Sequence, residues 1–170
     1  MISAPLPRIV VMGVSGCGKT TLARALSERL GTAFVEGDLL HPPANVAKMT
    51  AGIPLDDEDR QPFLEAVGDA LQAGGPGSVA ACSALKRRYR DLLRSRAGAI
   101  RFVLPLMDRA ALAARMASRQ DHFMPASLLD SQLATLEIPT PEEQAICIDG
   151  SLPPTDQVEA VLAALKDPSK

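Results

Sequence analysis

Gly13-Val14-Ser15-Gly16-Cys17-Gly18-Lys19-Thr20 is the stretch whose residue types and spacing have the clearest chemical use. It fits G-x-x-x-x-G-K-[ST], a loop that cradles the phosphates of a nucleoside triphosphate. Phosphate oxygens are held there by backbone N–H groups, so the chain must come close and turn tightly. Gly13, Gly16 and Gly18 permit that. Lys19 brings a point charge to the β- and γ-phosphates, and the Thr20 hydroxyl is placed to ligate Mg²⁺. The expected nucleotide contacts run from Gly13 through Val14, Ser15, Gly16, Cys17, Gly18, Lys19 and Thr20 to Thr21. Cys17 reads as a small filler within the loop.

The flanks supply what such a loop requires. Arg8 to Met12 is a short apolar, β-branched run, as expected of a buried parallel strand. Thr21 to Leu30 reads as a helix with Leu22, Ala25, Leu26 and Leu30 on one stripe, stopped by Gly31. Further strands are expected over 32–36, 78–82, 100–104 and 144–148, and helices over 44–50, 57–73, 86–96, 108–118, 126–136 and 155–165. The alternation predicts an α/β fold: a five-stranded parallel sheet flanked by helices on both faces. At 170 residues the chain reads as a single domain. Its helical substrate segment is expected at about residues 41–73 and a mobile lid at about 119–136.

Composition narrows the class. Hydrophobic residues make up 46% of the chain, enough for a core. A net charge of −2, no Trp and one Tyr argue against nucleic acid as partner. No apolar run approaches the ~18 residues of a membrane span. Cys17, Cys82 and Cys147 are far apart with no C-x-x-C spacing, which fits a reducing, cytoplasmic setting rather than a zinc site. The first residues lack the basic-then-apolar pattern of a signal peptide. No N-K-x-D guanine motif is present, and the third strand ends in Cys82-Ser83 rather than Asp, a pattern that favours small P-loop kinases.

Asp38 stands one glycine beyond the second strand, at the edge where open α/β sheets collect their chemistry. The segment Glu36-Gly37-Asp38-Leu39-Leu40-His41-Pro42 resembles D-G-D-x-x-H-P of the gluconokinases. Asn45 to Met49 is similar to their N-x-x-K-M, and Leu55 to Leu64 to their L-x-D-x-D-R-x-P-W-L. Cys82 to Asp91 is similar to C-S-A-L-K-x-x-Y-R-D, and His122 to Pro125 with Leu128 to Glu137 to the family's lid and following helix. Three positions depart: Glu36 replaces Asp, Phe63 replaces Trp, and Asp121 stands where a small residue is usual.

The resemblance implies an ATP-dependent kinase making 6-phosphogluconate from D-gluconate, on a nucleoside-monophosphate-kinase-like fold, commonly as a homodimer. It makes Lys19, Asp38 and Arg119 the catalytic set. Asp38 would accept or orient the hydroxyl proton. His41 would bond a substrate hydroxyl, and Lys48 or Arg60 would meet the carboxylate, Arg60 being better suited to a bidentate grip. Lys86 and Arg90 lie one turn apart, so both can face the cleft, and one of them is expected to touch the substrate or the transferring phosphate. Likeness to the wider kinase fold would put Arg115 on adenine and Arg119 on the phosphates, with His122 in the lid. The residues leave two other readings open: a sibling kinase for another hydroxy acid such as shikimate, and a nucleotide-dependent regulator without turnover.

Overall fold

The computed structural model describes residues 4–118 and 127–167. Five parallel strands form one sheet in the order β2-β3-β1-β4-β5: β1 Arg8–Val11, β2 Phe34–Glu36, β3 Val79–Ala81, β4 Ile100–Leu106 and β5 Ile146–Asp149. Seven helices connect and cover them among the described residues: α1 Lys19–Leu30, α2 Pro43–Thr50, α3 Asp57–Gly74, α4 Arg87–Ala97, α5 Arg109–Ser118, α6 Ser127–Thr135 and α7 Pro154–Lys166.

β1 lies between β3 and β4, with Val10 in register with Ala80 on one side and Phe102 on the other. Alternation along β1 splits the core in two. Ile9 and Val11 pack with Leu22 and Leu26 of α1 and Val158 and Val161 of α7. Val10 and Met12 pack on the other face with Phe63, Leu64, Val67 and Leu71 of α3 and Leu93 of α4. A third cluster, Val14, Cys17, Leu85, Leu112, Met116 and Leu129, fills the space under the glycine loop. Cys17 is buried within it, as a filler would be.

Local signals explain the helix ends. α1 begins at Lys19, earlier than its apolar stripe implies, because the loop itself forms the entry to its first turn. Gly31 closes it in the left-handed region at φ 69°. α3 opens on a reciprocal cap: the Asp59 N–H donates to Asp56 Oδ1 (2.7 Å), and the Asp56 N–H donates to Asp59 Oδ2 (3.0 Å). Two 3₁₀ turns, Gly37–Leu40 and Pro141–Glu143, occupy stretches that the sequence reading left without structure.

Candidate active site

The cleft opens at the carboxyl edge of the sheet, where β1, β2 and β3 end. One wall is the glycine loop and the start of α1: Ser15, Gly16, Gly18, Lys19 and Thr20. The facing wall carries Asp38, His41, Arg60 and Phe63, with Ser83 at the floor and Leu128, Ser131 and Gln132 of α6 along the rim. Gly16 holds φ 87° and passes so near α5 that a Cβ would stand 2.9 Å from the Leu112 carbonyl oxygen. A side chain there is excluded both by conformation and by space.

Thr20 Oγ1 donates to Glu36 Oε2 at 2.7 Å, so the loop hydroxyl is joined to a carboxylate at the end of β2. Hydroxyl plus carboxylate is an oxygen donor set of the kind that holds Mg²⁺ through one or two protein ligands and water. Lys19 Nζ donates to the Val14 carbonyl at 3.1 Å, curled over the loop that it would serve. The Ser15 N–H donates to Gln132 Oε1 at 2.7 Å, so α6 touches a backbone donor of the loop.

Asp38 is positioned by the tight passage of Gly37 across β3. A Cβ on Gly37 would lie 2.2 Å from the Ala81 carbonyl oxygen, which no other residue type could accept. The Asp38 N–H also meets Glu36 Oε1 at 3.4 Å, the cap of the 3₁₀ turn. The His41 ring stacks on Phe63, 3.7 Å between centroids and 13° from parallel. Its pKa falls from 6.5 to about 4, chiefly through burial and further through Arg60, with Asp38 opposing. The ring is therefore neutral at physiological pH.

Arg60 is held beneath the cleft by two contacts. Its Nε donates to the Leu55 carbonyl at 3.3 Å, and its guanidinium lies 5.3 Å from the Tyr89 ring centroid. The Tyr89 hydroxyl donates to Asp57, which also receives Lys86 Nζ at 3.2 Å and Arg88 Nη1 at 2.8 Å. That knot ties the start of α3 to the start of α4. Burial, with this hydrogen bond, pushes the Tyr89 pKa up to about 12.

The basic residues expected to share the cleft separate here. Lys48 points away to Asp59 at 2.7 Å, and Lys86 to Asp57 and over the Tyr89 ring. Arg90 corrects the expectation outright. It is fully buried, its Nε and Nη2 donating to Glu143 at 2.8 and 3.0 Å and its Nη1 to the carbonyls of Ala84 and Leu85 at 3.0 and 3.2 Å. Ala84 stands at φ 43°, an uncommon conformation for a residue with a Cβ. Arg90 braces that turn, directly after Ser83, and offers no donor to a substrate. Helical spacing alone put Lys86 and Arg90 on one face. The Arg90 N–H does donate to the Lys86 carbonyl at 3.2 Å, one turn back, but Lys86 is the extended N-cap of α4 and the two side chains go to different partners, Asp57 and Glu143.

Arg115 donates to the Gly150 carbonyl at 3.1 Å and lines a second cavity with Gly18, Thr21, Leu152, Pro154 and Gln157. This hollow shares Gly18 of the glycine loop with the cleft. Arg119 and His122 lie outside the described residues, as does Asp121. Four cleft features were not assigned from sequence: Glu36 at Thr20, Ser83, Gln132 and the Phe63 stack on His41. Glu36 was the most accessible of these, as a carboxylate at a strand end.

Comparison with known proteins gives concordant results. A family model described as an AAA domain matches residues 9–139. The gluconokinase of Gluconobacter oxydans is 51% identical over 157 residues, 91% of this chain and 88% of that protein. A sugar kinase from a Janibacter species superposes with a TM-score of 0.89 at 44% identity, covering 97% of this chain and 98% of that one. A gluconokinase from Sinorhizobium meliloti superposes at 0.85 with 47% identity, covering 95% and 92%. With a loop for a triphosphate on one wall and Asp38, His41 and Arg60 on the other, at these levels of identity, the chain belongs to the gluconokinase family of P-loop kinases.

Proposed function

We propose that the protein transfers the γ-phosphoryl group of ATP to the 6-hydroxyl of D-gluconate, giving 6-phospho-D-gluconate and ADP. The observation that carries this reading is the shared cleft. Lys19 and Thr20 face Asp38, His41 and Arg60 across one cavity, so donor and acceptor can lie end to end. Phosphoryl transfer needs chiefly alignment and charge neutralisation, and the groups that line the cleft can supply both.

On the donor side the backbone N–H groups from Gly13 to Thr20 would hold the phosphates. Lys19 would swing from Val14 to the β- and γ-oxygens. Adenine would lie in the second cavity against the Arg115 guanidinium. Thr20 and Glu36 would hold Mg²⁺, which when bound neutralises charge on the β- and γ-oxygens. On the acceptor side Arg60 would take the carboxylate, His41 a hydroxyl oxygen, and Asp38 the proton of the attacking hydroxyl. Arg119 remains a proposed ligand of the transferring group, and His122, Lys48 and Lys86 proposed outer contacts of the acceptor.

We take the working form to be a cytoplasmic homodimer. Free cysteines fit a reducing compartment, and among the described residues no helix is long and apolar enough to cross a membrane. Sedimentation of the purified chain measures its stoichiometry. The decisive experiment supplies Mg-ATP with a panel of sugar acids and shikimate and couples ADP release to a detector. Gluconate should give 6-phosphogluconate. ADP release with another acid, but none above background with gluconate, would overturn the assignment.

A further inference from the structure

Asn45 is a buried polar side chain on α2, 3% exposed, directly behind the cleft. Its Nδ2 lies 2.8 Å from the Asp59 carbonyl oxygen and 3.3 Å from His41 Nδ1. A backbone carbonyl oxygen can only accept, so the part of Asn45 facing Asp59 must be its NH₂ group. The second hydrogen of that group is the one that meets His41. His41 Nδ1 must then carry a lone pair, which leaves the imidazole proton on Nε2. The stack on Phe63 fixes the plane of the ring, and the contact with Asn45 selects which edge of it carries Nδ1, since a flipped ring would present a carbon there.

We propose that Asn45 is a positioning residue that locks His41 as the neutral Nε2–H tautomer, giving the acceptor side of the cleft a fixed hydrogen-bond donor and no second base. The inference rests on the reading of this wall as the acceptor site. It also assigns a direction to the hydrogen bonds there. Asp38, as a carboxylate, only accepts, and His41 Nε2–H only donates. A hydroxyl between them accepts from His41 and gives its own hydrogen to Asp38. Two acceptors, or two donors, would leave the orientation of that hydroxyl open. Burial acts in the same sense: it disfavours the imidazolium, with Arg60 adding to it and Asp38 opposing. An imidazolium would also turn its Nδ1–H on the Asn45 NH₂ group, donor to donor.

The test does not require the acceptor to be known. Long-range ¹H–¹⁵N correlation spectra of the uniformly labelled full chain report the tautomer of both histidines, and His122→Gln assigns them. His41 should show the Nε2–H pattern alone and remain neutral from pH 5 to 8. An Nδ1–H pattern, or titration near the ordinary value of about 6.5, would overturn the proposal. Asn45→Ala should then mix the tautomers and raise the KM of the acceptor roughly tenfold, about the value of one hydrogen bond, with the KM for ATP unchanged. An unaltered His41 spectrum in folded Asn45→Ala would equally reject the assignment. Should another acid replace gluconate in the panel, the tautomer measurement still decides the role of Asn45.

Discussion

Arg60 has two contacts that a lysine could not reproduce together. Its Nε reaches the Leu55 carbonyl while the plane of the guanidinium lies over Tyr89. An ammonium group has no face to lay on the ring and no fork for a carboxylate. Arg60→Lys should therefore raise the gluconate KM by about tenfold or more, in line with the ~1.5–3 kcal/mol of a hydrogen bond to a charged group, and leave the KM for ATP unchanged. Steady-state kinetics with each substrate varied in turn measures it. Asp38 calls for a different signature. Asp38→Asn keeps shape and polarity but removes the acceptor of the hydroxyl proton. The expected result is a fall in kcat of about 10²-fold or more, with nucleotide binding by calorimetry intact. At this scale the sequence spoke clearly where a residue's type and its place agree, as for Lys19 and Thr20 at the start of α1 and Asp38 just past the end of β2, all of which line the cleft. It was silent where the outcome depends on which of several partners wins. Arg90 was one of six basic residues in eleven positions, and only the fold brings Glu143 to it.

Among the elements, the short 3₁₀ turn after β2 matters more than its length suggests. It delivers Asp38 to the cleft only because Gly37 can pass 2.2 Å, measured from its absent Cβ, under the Ala81 carbonyl. Gly37→Ala must push the turn away from β3. The expected outcome is at least a tenfold loss of kcat with ATP affinity retained, since the loop joins β1 to α1 and Thr20 sits on α1. Comparing calorimetric ATP binding with turnover separates the two effects. The strands and long helices were legible beforehand because their periods of two and 3.6 are written in apolar residues, and the observed ends fall within a few residues of those expected. The 3₁₀ turns were not, for their hydrogen bonds run to Glu36 and Thr140 side chains whose geometry no periodicity encodes.

For the whole molecule, the buried Arg90–Glu143 pair joins the α4 layer to the turn before β5. Arg90 holds the Glu143 pKa at about 2, below its ordinary 4.5, against the opposing effect of burial. A carboxylate with a depressed folded pKa contributes its stability above the unfolded value and loses it as pH falls. That contribution should be complete above pH 4.5 and vanish towards pH 2. His41, lowered to about 4, adds a loss of the same sign between pH 6.5 and 4, because the unfolded chain takes up a proton that the folded one refuses. Urea titrations across this range should show stability declining from pH 6.5 downwards. Glu143→Ala should be less stable at pH 7 by about 3–5 kcal/mol, since it strands a buried guanidinium, and should lose the part of the acid slope below pH 4.5. The chain contains no Trp and one Tyr. That Tyr89 lies under Arg60, its hydroxyl on Asp57. Apart from the weak emission of four Phe, the ultraviolet emission of the protein thus originates at Tyr89, against the acceptor wall. Gluconate should alter it on binding, and the molecule carries its own optical reporter for one of its two substrates.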